Sequence, residues 1–139
     1  EWERRRGRVT VLTPHEGEFL RVGGDLSQGR TAAAEDFARR SGAVVVLKGP
    51  GTVVAGPDGR CRVNTTGNCG MAKGGSGDVL SGVVLALLGL GMDAFDACCC
   101  AVWLHGRAGD LAAQEKGQWG MTPTDLLERL PQALREVTE

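Results

Sequence analysis

Residues Ala43–Leu47 restrict the fold more than any other segment, because all five are apolar and three of them are consecutive valines. A continuous apolar run that is rich in β-branched residues is typical of a strand covered on both faces. Helices packed on the two sides of a sheet provide such cover. Val9–Leu12 is a second short run that ends at Thr13-Pro14, and it predicts another buried strand. The two runs together predict a layered α/β domain.

The other patterns predict how helices and strands alternate along the chain. Gly56-Pro57-Asp58-Gly59 is a strong turn signal and predicts a hairpin between Thr52–Ala55 and Cys61–Asn64. Apolar periodicity and capping residues predict five helices: Glu16–Val22, Thr31–Ser41, the segment after Asp78, the segment from Asp93 to about Lys116, and a last segment from Thr122. Pro131 is expected to break or restart the last of them.

Size and charge exclude several classes of protein. The 139 residues are 42% hydrophobic, which is enough for one compact domain with a core. The net charge of -1 gives no basic footprint for nucleic acid. The arginines at positions 4, 5, 6 and 8 are better explained by a solvated helix end or chain start than by a partner site. The longest uncharged run, Val79–Met92, is shorter than the roughly 20 residues that span a bilayer, so we expect no membrane association.

Five cysteines are present, and no pair of them has the CxxC spacing of a metal site. Cys98, Cys99 and Cys100 are consecutive on a predicted helix, where neighbouring side chains point about 100° apart and cannot converge on one ion. Free cysteine behaves as a small buried hydrophobe in a reducing compartment. We therefore expect all five cysteines to pack inside a cytoplasmic protein, and we expect no protein-bound metal.

The segment Asn68–Asp78 carries the strongest functional signal, because it contains four glycines in eleven residues and then opens a helix. Glycine lets the backbone approach an anion closely, and a helix amino terminus presents unpaired N–H groups and a partial positive charge. The combination predicts a phosphate cradle. It is not a Walker A loop, since Gly74 rather than serine or threonine follows Lys73, and it does not match GxGxxG either.

Asp78 follows this loop directly, and two interpretations of it stay open on spacing alone. A carboxylate beside a phosphate site can accept the proton of an attacking hydroxyl in phosphoryl transfer. An aspartate in the first turn of a helix can equally serve as a cap.

The residues around the loop resemble a known family. Thr66–Gly82 reads TGNCGMAKGGSGDVLSG and closely resembles the signature of the NAD(P)H-hydrate dehydratases, which belong to the ribokinase-like superfamily. Leu12–Glu18 resembles the family's TPHPGE element, with Glu16 in place of the usual proline, and Leu47–Val53 resembles its nucleotide-contacting KG segment. His105–Asp110 and Met121–Leu126 resemble its carboxyl-terminal helices, so the resemblance covers the chain from about Val9 onward.

The resemblance implies a ribokinase-like α/β fold with a central, mostly parallel sheet flanked by helices. It also implies that residues 1–139 are the carboxyl-terminal part of a single NAD(P)H-hydrate dehydratase domain whose amino-terminal half is missing. The family is a group of lyases that return hydrated NADH or NADPH, NAD(P)HX, to NAD(P)H at the expense of ADP or ATP, a metabolite-repair reaction. Magnesium bound with the nucleotide and a homo-oligomer, a tetramer in the family, are further expectations of the resemblance.

The resemblance also assigns roles to individual residues. Asp78 is the catalytic base and contacts the hydrated nicotinamide, and His15 contacts the same substrate. The residues assigned to the adenine nucleotide are Lys48, Gly49, Pro50, Gly51, Thr52, Asn68, Cys69, Gly70, Met71, Ala72, Lys73, Gly74, Gly75, Ser76 and Gly77. His15 could otherwise be a surface turn residue, Lys48 could extend its ammonium into water, and Lys73 could neutralise phosphate or face solvent. His105 is expected to be a hydrogen-bonded core residue.

Two other functions stay open. A ribokinase-like kinase of a vitamin or sugar also needs a base aspartate after a glycine loop, and it would leave a stable phosphate ester. The chain could also be an inactive nucleotide-binding fragment of a longer or split protein. The choice between ADP and ATP and the presence of a fused epimerase domain are open as well.

Overall fold

The computed structural model describes residues 2–5 and 7–139, without the side chains of Trp2 and Glu3. Trp2–Arg5 is a short 3₁₀ turn. Arg4, Arg5 and Arg8 are exposed, which agrees with a solvated chain start, while Arg6 lies outside the described residues.

The regular elements follow the order that the sequence predicts. In chain order they are β1 (Val11–Leu12), α1 (Glu16–Arg21), α2 (Arg30–Ser41), β2 (Val44–Leu47), β3 (Val53–Ala55), β4 (Cys61–Val63), α3 (Ser76–Gly89), α4 (Ala94–Gly120) and α5 (Pro123–Thr138). A further 3₁₀ turn, Cys69–Met71, precedes α3.

The four strands form one sheet in the order β1-β2-β3-β4. β1 pairs with β2 in parallel, whereas β2 with β3 and β3 with β4 are antiparallel. The expectation of a mostly parallel sheet is therefore wrong for the strands that this chain contributes. A parallel neighbour needs a crossover of a dozen or more residues, which α1 and α2 supply between β1 and β2. The short turns after β2 and β3 permit only antiparallel pairing, as the predicted hairpin requires.

The chain forms two compact units, one of residues up to Asn64 with Met92–Cys99, and one of Thr65–Gly91 with Cys100–Glu139. In the first unit, α2 packs on the fully buried strand β2, and the rings of Phe19 and Phe37 lie 5.2 Å apart between centroids. In the second unit, the core joins α4 to α5 and contains Leu104, Leu111, Met121 and Leu126. Each unit thus buries a continuous apolar core of its own.

Local signals fixed most helix ends. The C-cap of α2 is Gly42. α4 begins after Asp93, whose carboxylate accepts from the N–H groups of Phe95 and Asp96. α4 loses helical geometry at Gly117, next to the predicted end near Lys116.

The sequence predicts that Pro131 breaks or restarts the last helix, and this expectation is wrong, because α5 runs through it. Pro131 is exposed, so the carbonyl that loses its helical donor lies where water can replace it.

The cysteines pack less uniformly than expected. All five are free; Cys98 is buried, Cys61 and Cys99 are half-buried, and Cys69 and Cys100 are exposed. The expectation of five packing residues is therefore wrong for Cys69, which lies in the glycine loop, and for Cys100, which lies on an exposed position of α4. Burial raises the pKa of the Cys98 thiol to about 12.

None of the helices in the described part of the chain combines the length and the apolar character that crossing a bilayer requires.

Substitutions at two leucines of α3 test which face of this helix is buried. Leu80 is 3% exposed and Leu85 is 70% exposed. We expect Leu80→Ala to lower the free energy of unfolding by about 2–5 kcal/mol, because it removes buried methyl groups and leaves a cavity. Leu85→Ala makes the same chemical change on the same helix and should cost less than about 0.5 kcal/mol. Urea unfolding of the two variants measures both values, and equal losses would contradict the described burial.

Candidate active site

The turn into α3 is formed by a glycine in a backbone conformation that other residues rarely adopt. Gly75 is the N-cap of α3 at φ 98° and ψ -24°, and no side chain caps this helix end. A Cβ at Gly75 would also lie 3.2 Å from Cγ of Pro123. The positive φ therefore favours glycine at this position, and Pro123 leaves little room for a Cβ.

This turn leaves several backbone N–H groups available. Ser76 N–H donates to the carbonyl of Lys73 at 3.2 Å, and Asp78 N–H donates to the carbonyl of Gly75 at 3.1 Å. Among the described residues, no acceptor faces the N–H groups of Gly74, Gly75 and Gly77. Unbonded amides at a helix amino terminus form an anion-binding site, because the helix dipole adds partial positive charge there.

Asp78 lies in the first turn of α3 and is exposed. Within the described residues, no hydrogen bond or ion pair engages its carboxylate, so the interpretation of Asp78 as a hydrogen-bonding cap has no support from this geometry. The carboxylate therefore lies exposed and without a partner in the described part of the chain, within one helical turn of the unbonded amides.

Asn68 holds the preceding loop to α4. Its Oδ1 accepts from the N–H of Gly70 at 3.0 Å, and its Nδ2 donates to Oδ1 of Asp110 at 2.9 Å. Asp110 Oδ2 accepts from the N–H of Gly67 at 2.9 Å. Because the Asn68 side chain is engaged at both ends, it shapes the loop. Asp110 was not assigned to the site from the sequence, and its separation of 42 residues from Asn68 leaves no local signal of the contact.

Lys73 is exposed, and its ammonium also makes protein contacts that the sequence did not predict. Its Nζ donates to the carbonyls of Gln118, Trp119 and Met121, the Trp119 contact being 3.0 Å. These carbonyls lie beyond the break at Gly117, where helical partners are missing, and a cation is favourable at a helix carboxyl end. Lys73 therefore fastens the glycine loop to the segment between α4 and α5.

Three other loop residues are also held by protein contacts. Ser76 is 6% exposed, and Cys69 Sγ lies 2.7 Å from Oε1 of Gln118. A Cβ at Gly70 would lie 2.5 Å from the carbonyl oxygen of Gln118, so the loop backbone lies directly against the end of α4. A shallow cleft of about 410 Å³ opens beside this contact, lined by Asn68, Arg107, Asp110, Ala113, Gln114 and Gln118.

His105 confirms the expectation of a hydrogen-bonded structural residue. Its Nε2 lies 2.8 Å from the carbonyl oxygen of Ser76. A carbonyl can only accept, so Nε2 carries the hydrogen of this bond. His105 therefore steadies the first turn of α3 from α4.

The other predicted site residues lie in the first unit, where a parallel bridge joins His15 to Lys48. His15 is the N-cap of α1: its Nδ1 accepts from the N–H of Glu18, and its own N–H donates to Oε2 of Glu18 at 2.8 Å. Lys48 Nζ lies 3.8 Å from the same oxygen. Glu18 thus links the two residues. It was missed in the sequence, because histidine stands at the N-cap where a capping box usually has serine or threonine.

The pKa of the Glu18 carboxyl lies below its usual 4.5, mainly because of the hydrogen bond from the His15 backbone and, more weakly, because of the nearby Lys48 ammonium. The His15 side chain is 55% exposed; its Nδ1 is occupied as a cap, and its Nε2 lies 3.5 Å from Oε1 of Glu18. Lys48 is 26% exposed and pairs with Glu18 rather than extending freely into water.

The residues after β2 form a loop, Lys48–Thr52, that we call the KG loop. Thr52 Oγ1 donates to the carbonyl of Gly49 at 3.1 Å, and the exposed residues 49–51 contain no regular pairing. Arg30, at the first position of α2, donates to the carbonyls of Leu47, Pro50 and Gly51. Neither Arg30 nor its contact with the KG loop was predicted from the sequence.

Across residues 2–5 and 7–139, no three His, Cys, Asp or Glu side chains converge in a way that could hold a metal ion. The predicted residues divide between the two units: His15 and the KG loop belong to the first, and Asn68–Asp78 belong to the second.

Acid titration tests the Glu18 contacts. The pKa of Glu18 is lowered in the folded state, so its ionisation stabilises the fold above about pH 4.5 and this contribution is lost as the pH falls through the lower folded value. We expect the stability difference between the wild type and Glu18→Gln to be largest at neutral pH and to shrink in acid. Urea unfolding across this range measures it, and a difference that grows in acid would contradict the assignment.

The hydrogen bond between Asn68 and Asp110 can be tested by placing a second negative charge at position 68. Asn68→Asp retains an acceptor for Gly70 but places two carboxylates in contact, which raises the pKa of one of them in the folded state. We expect this variant to be clearly less stable than the wild type at about pH 8 and closer to it at about pH 5, because the raised pKa costs stability as pH rises.

Asn68→Ala is the matched control, since it should lose about 1–3 kcal/mol with little dependence on pH. A pH-independent effect of Asn68→Asp would show that the Asn68–Asp110 contact is absent in solution.

The chain resembles known proteins along nearly its whole length. Residues 2–132 match the family model described as NAD(P)H-hydrate dehydratase. The chain is 48% identical over 143 aligned residues to the bifunctional NAD(P)H-hydrate repair enzyme Nnr of Thermofilum pendens, covering 100% of this chain and 27% of that protein. It is 40% identical to the ADP-dependent (S)-NAD(P)H-hydrate dehydratase of Bacillus subtilis, covering 94% of this chain and 48% of the relative.

Solved structures show the same fold. The ADP/ATP-dependent NAD(P)H-hydrate dehydratase of Bacillus subtilis, co-crystallised with ATP/Mg2+, aligns with a TM-score of 0.88 at 38% identity and covers 94% of this chain and 49% of the solved chain. A ribokinase-like superfamily protein from Enterococcus faecalis aligns with a TM-score of 0.79 at 31% identity, covering 91% of this chain and 44% of that one. The chain therefore spans about half the length of the Bacillus subtilis dehydratase and of these solved chains, and about a quarter of the bifunctional relative. Its α/β fold is ribokinase-like, and it belongs to the NAD(P)H-hydrate dehydratase family.

Proposed function

We propose that this chain carries the catalytic carboxylate and part of the nucleotide site of an enzyme that dehydrates NAD(P)HX to NAD(P)H at the expense of ADP or ATP. The proposal rests above all on the turn into α3, where the unbonded N–H groups of Gly74, Gly75 and Gly77 lie within one helical turn of the unpaired Asp78 carboxylate. The choice of NAD(P)HX and of ADP or ATP as substrates is supported by membership of the family and by the names of its relatives.

The proposed chemistry begins with transfer of the terminal phosphoryl group of the nucleotide. Asp78 accepts the proton of the substrate hydroxyl, whose oxygen attacks the terminal phosphorus and forms a phosphate ester, leaving AMP from ADP or ADP from ATP. The amides of the glycine turn donate to the transferring oxygens, where negative charge develops. Hydroxide is a poor leaving group and phosphate a good one, so this step activates the substrate.

Elimination then completes the dehydration. The lone pair of the ring nitrogen expels inorganic phosphate as the C–O bond breaks, and a neighbouring ring carbon loses a proton to form the double bond of NAD(P)H. Magnesium bound with the nucleotide neutralises phosphate charge. Its ligands would be phosphate oxygens and water, as is usual for nucleotide-bound Mg²⁺. No residue of this chain is assigned to it.

The remaining site residues keep narrower proposed roles. His15, whose side chain is 55% exposed, contacts the hydrated cofactor, and Lys48 with the rest of the KG loop binds the nucleotide. In the segment from Asn68 to Gly77, the backbone of the glycines contacts phosphate, whereas Asn68 and Lys73 hold the loop in shape, as their existing hydrogen bonds indicate. That residues 1–139 form part of a single dehydratase domain, that the protein assembles as a tetramer, and that it works in the cytoplasm stay predictions.

The activity itself is tested by supplying hydrated NADH with ADP or ATP. The proposal expects the absorbance of reduced nicotinamide to return and inorganic phosphate to be released in equal amounts. A stable phosphate ester without phosphate release would instead indicate a small-molecule kinase, and nucleotide binding without turnover would indicate a binding fragment.

Asp78→Asn tests the base directly. Removal of a general base typically costs about 10²–10⁴-fold in rate, so we expect turnover to fall by at least that range. The affinity for ADP or ATP should stay within about threefold or improve, since a negative charge near the phosphates is removed. Isothermal titration calorimetry and the absorbance assay measure the two quantities.

Glu128→Gln is the matched control, because Glu128 is an exposed carboxylate of the same unit and should leave both quantities unchanged. Loss of nucleotide affinity together with turnover in Asp78→Asn would assign Asp78 a structural role instead.

A further inference from the structure

Arg30 makes an unusual set of contacts for the first residue of a helix. Its Nη2 donates to the carbonyl of Leu47 at 3.0 Å, and its Nη1 donates to the carbonyls of Pro50 and Gly51. The side chain is only 25% exposed, although it lies beside the exposed KG loop. One guanidinium therefore binds three carbonyl groups across the whole turn between β2 and β3.

The same side chain also contacts the segment that begins α1. Arg30 Nε lies 3.0 Å from Oε1 of Glu16 in an ion pair, although Nε has no aligned hydrogen-bond acceptor. Glu16 follows the N-cap His15 directly, and it is the position at which the sequence departs from the TPHPGE element. The departure thus supplies a carboxylate that faces Arg30, and Arg30 touches both the His15 turn and the KG loop.

The backbone of the KG loop is shaped to allow this contact. Gly49 has φ 154°, and a Cβ at this position would lie 2.6 Å from Nη2 of Arg30. Any other residue at position 49 would push the guanidinium away from the loop. The glycine and the arginine therefore form one packing arrangement.

A second connection joins the two segments through the backbone. Lys48 N–H donates to the carbonyl of Pro14 at 2.8 Å, next to the bridge between His15 and Lys48. This pairing fixes only the start of the KG loop, whereas Arg30 fixes its middle. Apart from Arg30, the hydrogen bonds to residues 49–51 found within the described part of the chain come from Thr52, whose hydroxyl donates to the carbonyl of Gly49.

We propose that Arg30 is a positioning residue that holds the KG loop in its nucleotide-binding shape and ties it to the His15 turn through Glu16. The inference rests on the proposed function, since it takes the KG loop to bind the nucleotide. The guanidinium suits this task because its planar fork supplies several donors in a fixed arrangement, which a lysine ammonium does not reproduce. Without it, the carbonyls of Leu47, Pro50 and Gly51 bond to water and the loop regains conformational freedom.

The test compares Arg30→Ala and Arg30→Lys with the wild type by two measurements. Hydrogen–deuterium exchange of the peptide that spans residues 47–52 reports the order of the loop without any ligand. Titration calorimetry with ADP and ATP reports affinity. We expect faster exchange in this peptide and about tenfold weaker nucleotide binding in Arg30→Ala, with Arg30→Lys restoring only part of each, because it keeps the charge but not the fork.

The matched control is Arg39→Ala, which removes an exposed arginine from the same helix and should change neither measurement. Glu16→Gln should speed exchange less than Arg30→Ala does, since the three carbonyl contacts remain. In turnover assays, Arg30→Lys should raise the KM for nucleotide more than it lowers kcat. Circular dichroism identifies a variant that does not fold, and Arg30→Lys then carries the test.

Two results would overturn the inference. Unchanged exchange of residues 47–52 in both Arg30 variants would show that Arg30 does not order the loop, even if affinity fell. Faster exchange with unaltered nucleotide affinity would show that the ordered loop is not needed for binding. A wild-type chain that binds no nucleotide would contradict the proposed function, and the exchange data would still decide whether Arg30 orders the loop.

Discussion

The turn from Gly75 into α3 is the constraint on which the candidate site depends. The glycine adopts a left-handed conformation with no side-chain cap, so α3 begins with amides that the protein itself does not satisfy. An uncapped helix end is unfavourable unless water or a ligand completes it. Here the neighbouring contacts keep the end open: Asn68 holds the loop to Asp110, Lys73 holds it to the end of α4, and His105 holds the first turn.

These anchors explain why the residues of the glycine loop divide into two groups. The side chains of Asn68, Cys69 and Lys73 are engaged by the protein, while the glycines present bare backbone. Unbonded backbone amides at a helix amino terminus suit the binding of an anion. The carboxylate of Asp78 lies in the first turn of the helix and has no partner among the described residues. In the proposed function, the loop amides contribute electrostatic stabilisation and the anchored loop contributes positioning, which are the main sources of catalysis in phosphoryl transfer.

Sequence reasoning succeeded where the determinants are local. The valine run of β2, the turn at Gly56–Gly59 and the caps at Asp93 and Thr122 act within a few residues, and each produced the expected element. It failed at Pro131, where exposure lets a helix continue, and at the pairing of the sheet, where the lengths of the connections decide the direction. The contacts of Lys73, Asp110 and Arg30 join residues that are far apart in the chain, so no local sequence pattern predicts them.

The most direct test of the central claim is a nuclear magnetic resonance titration of the ¹⁵N-labelled protein with ATP. If the α3 turn binds the nucleotide phosphates, the amide resonances of Gly74, Gly75 and Gly77 shift in a saturable way with a common dissociation constant. Binding of ATP that leaves these three resonances unmoved, while amides elsewhere shift, would contradict the account.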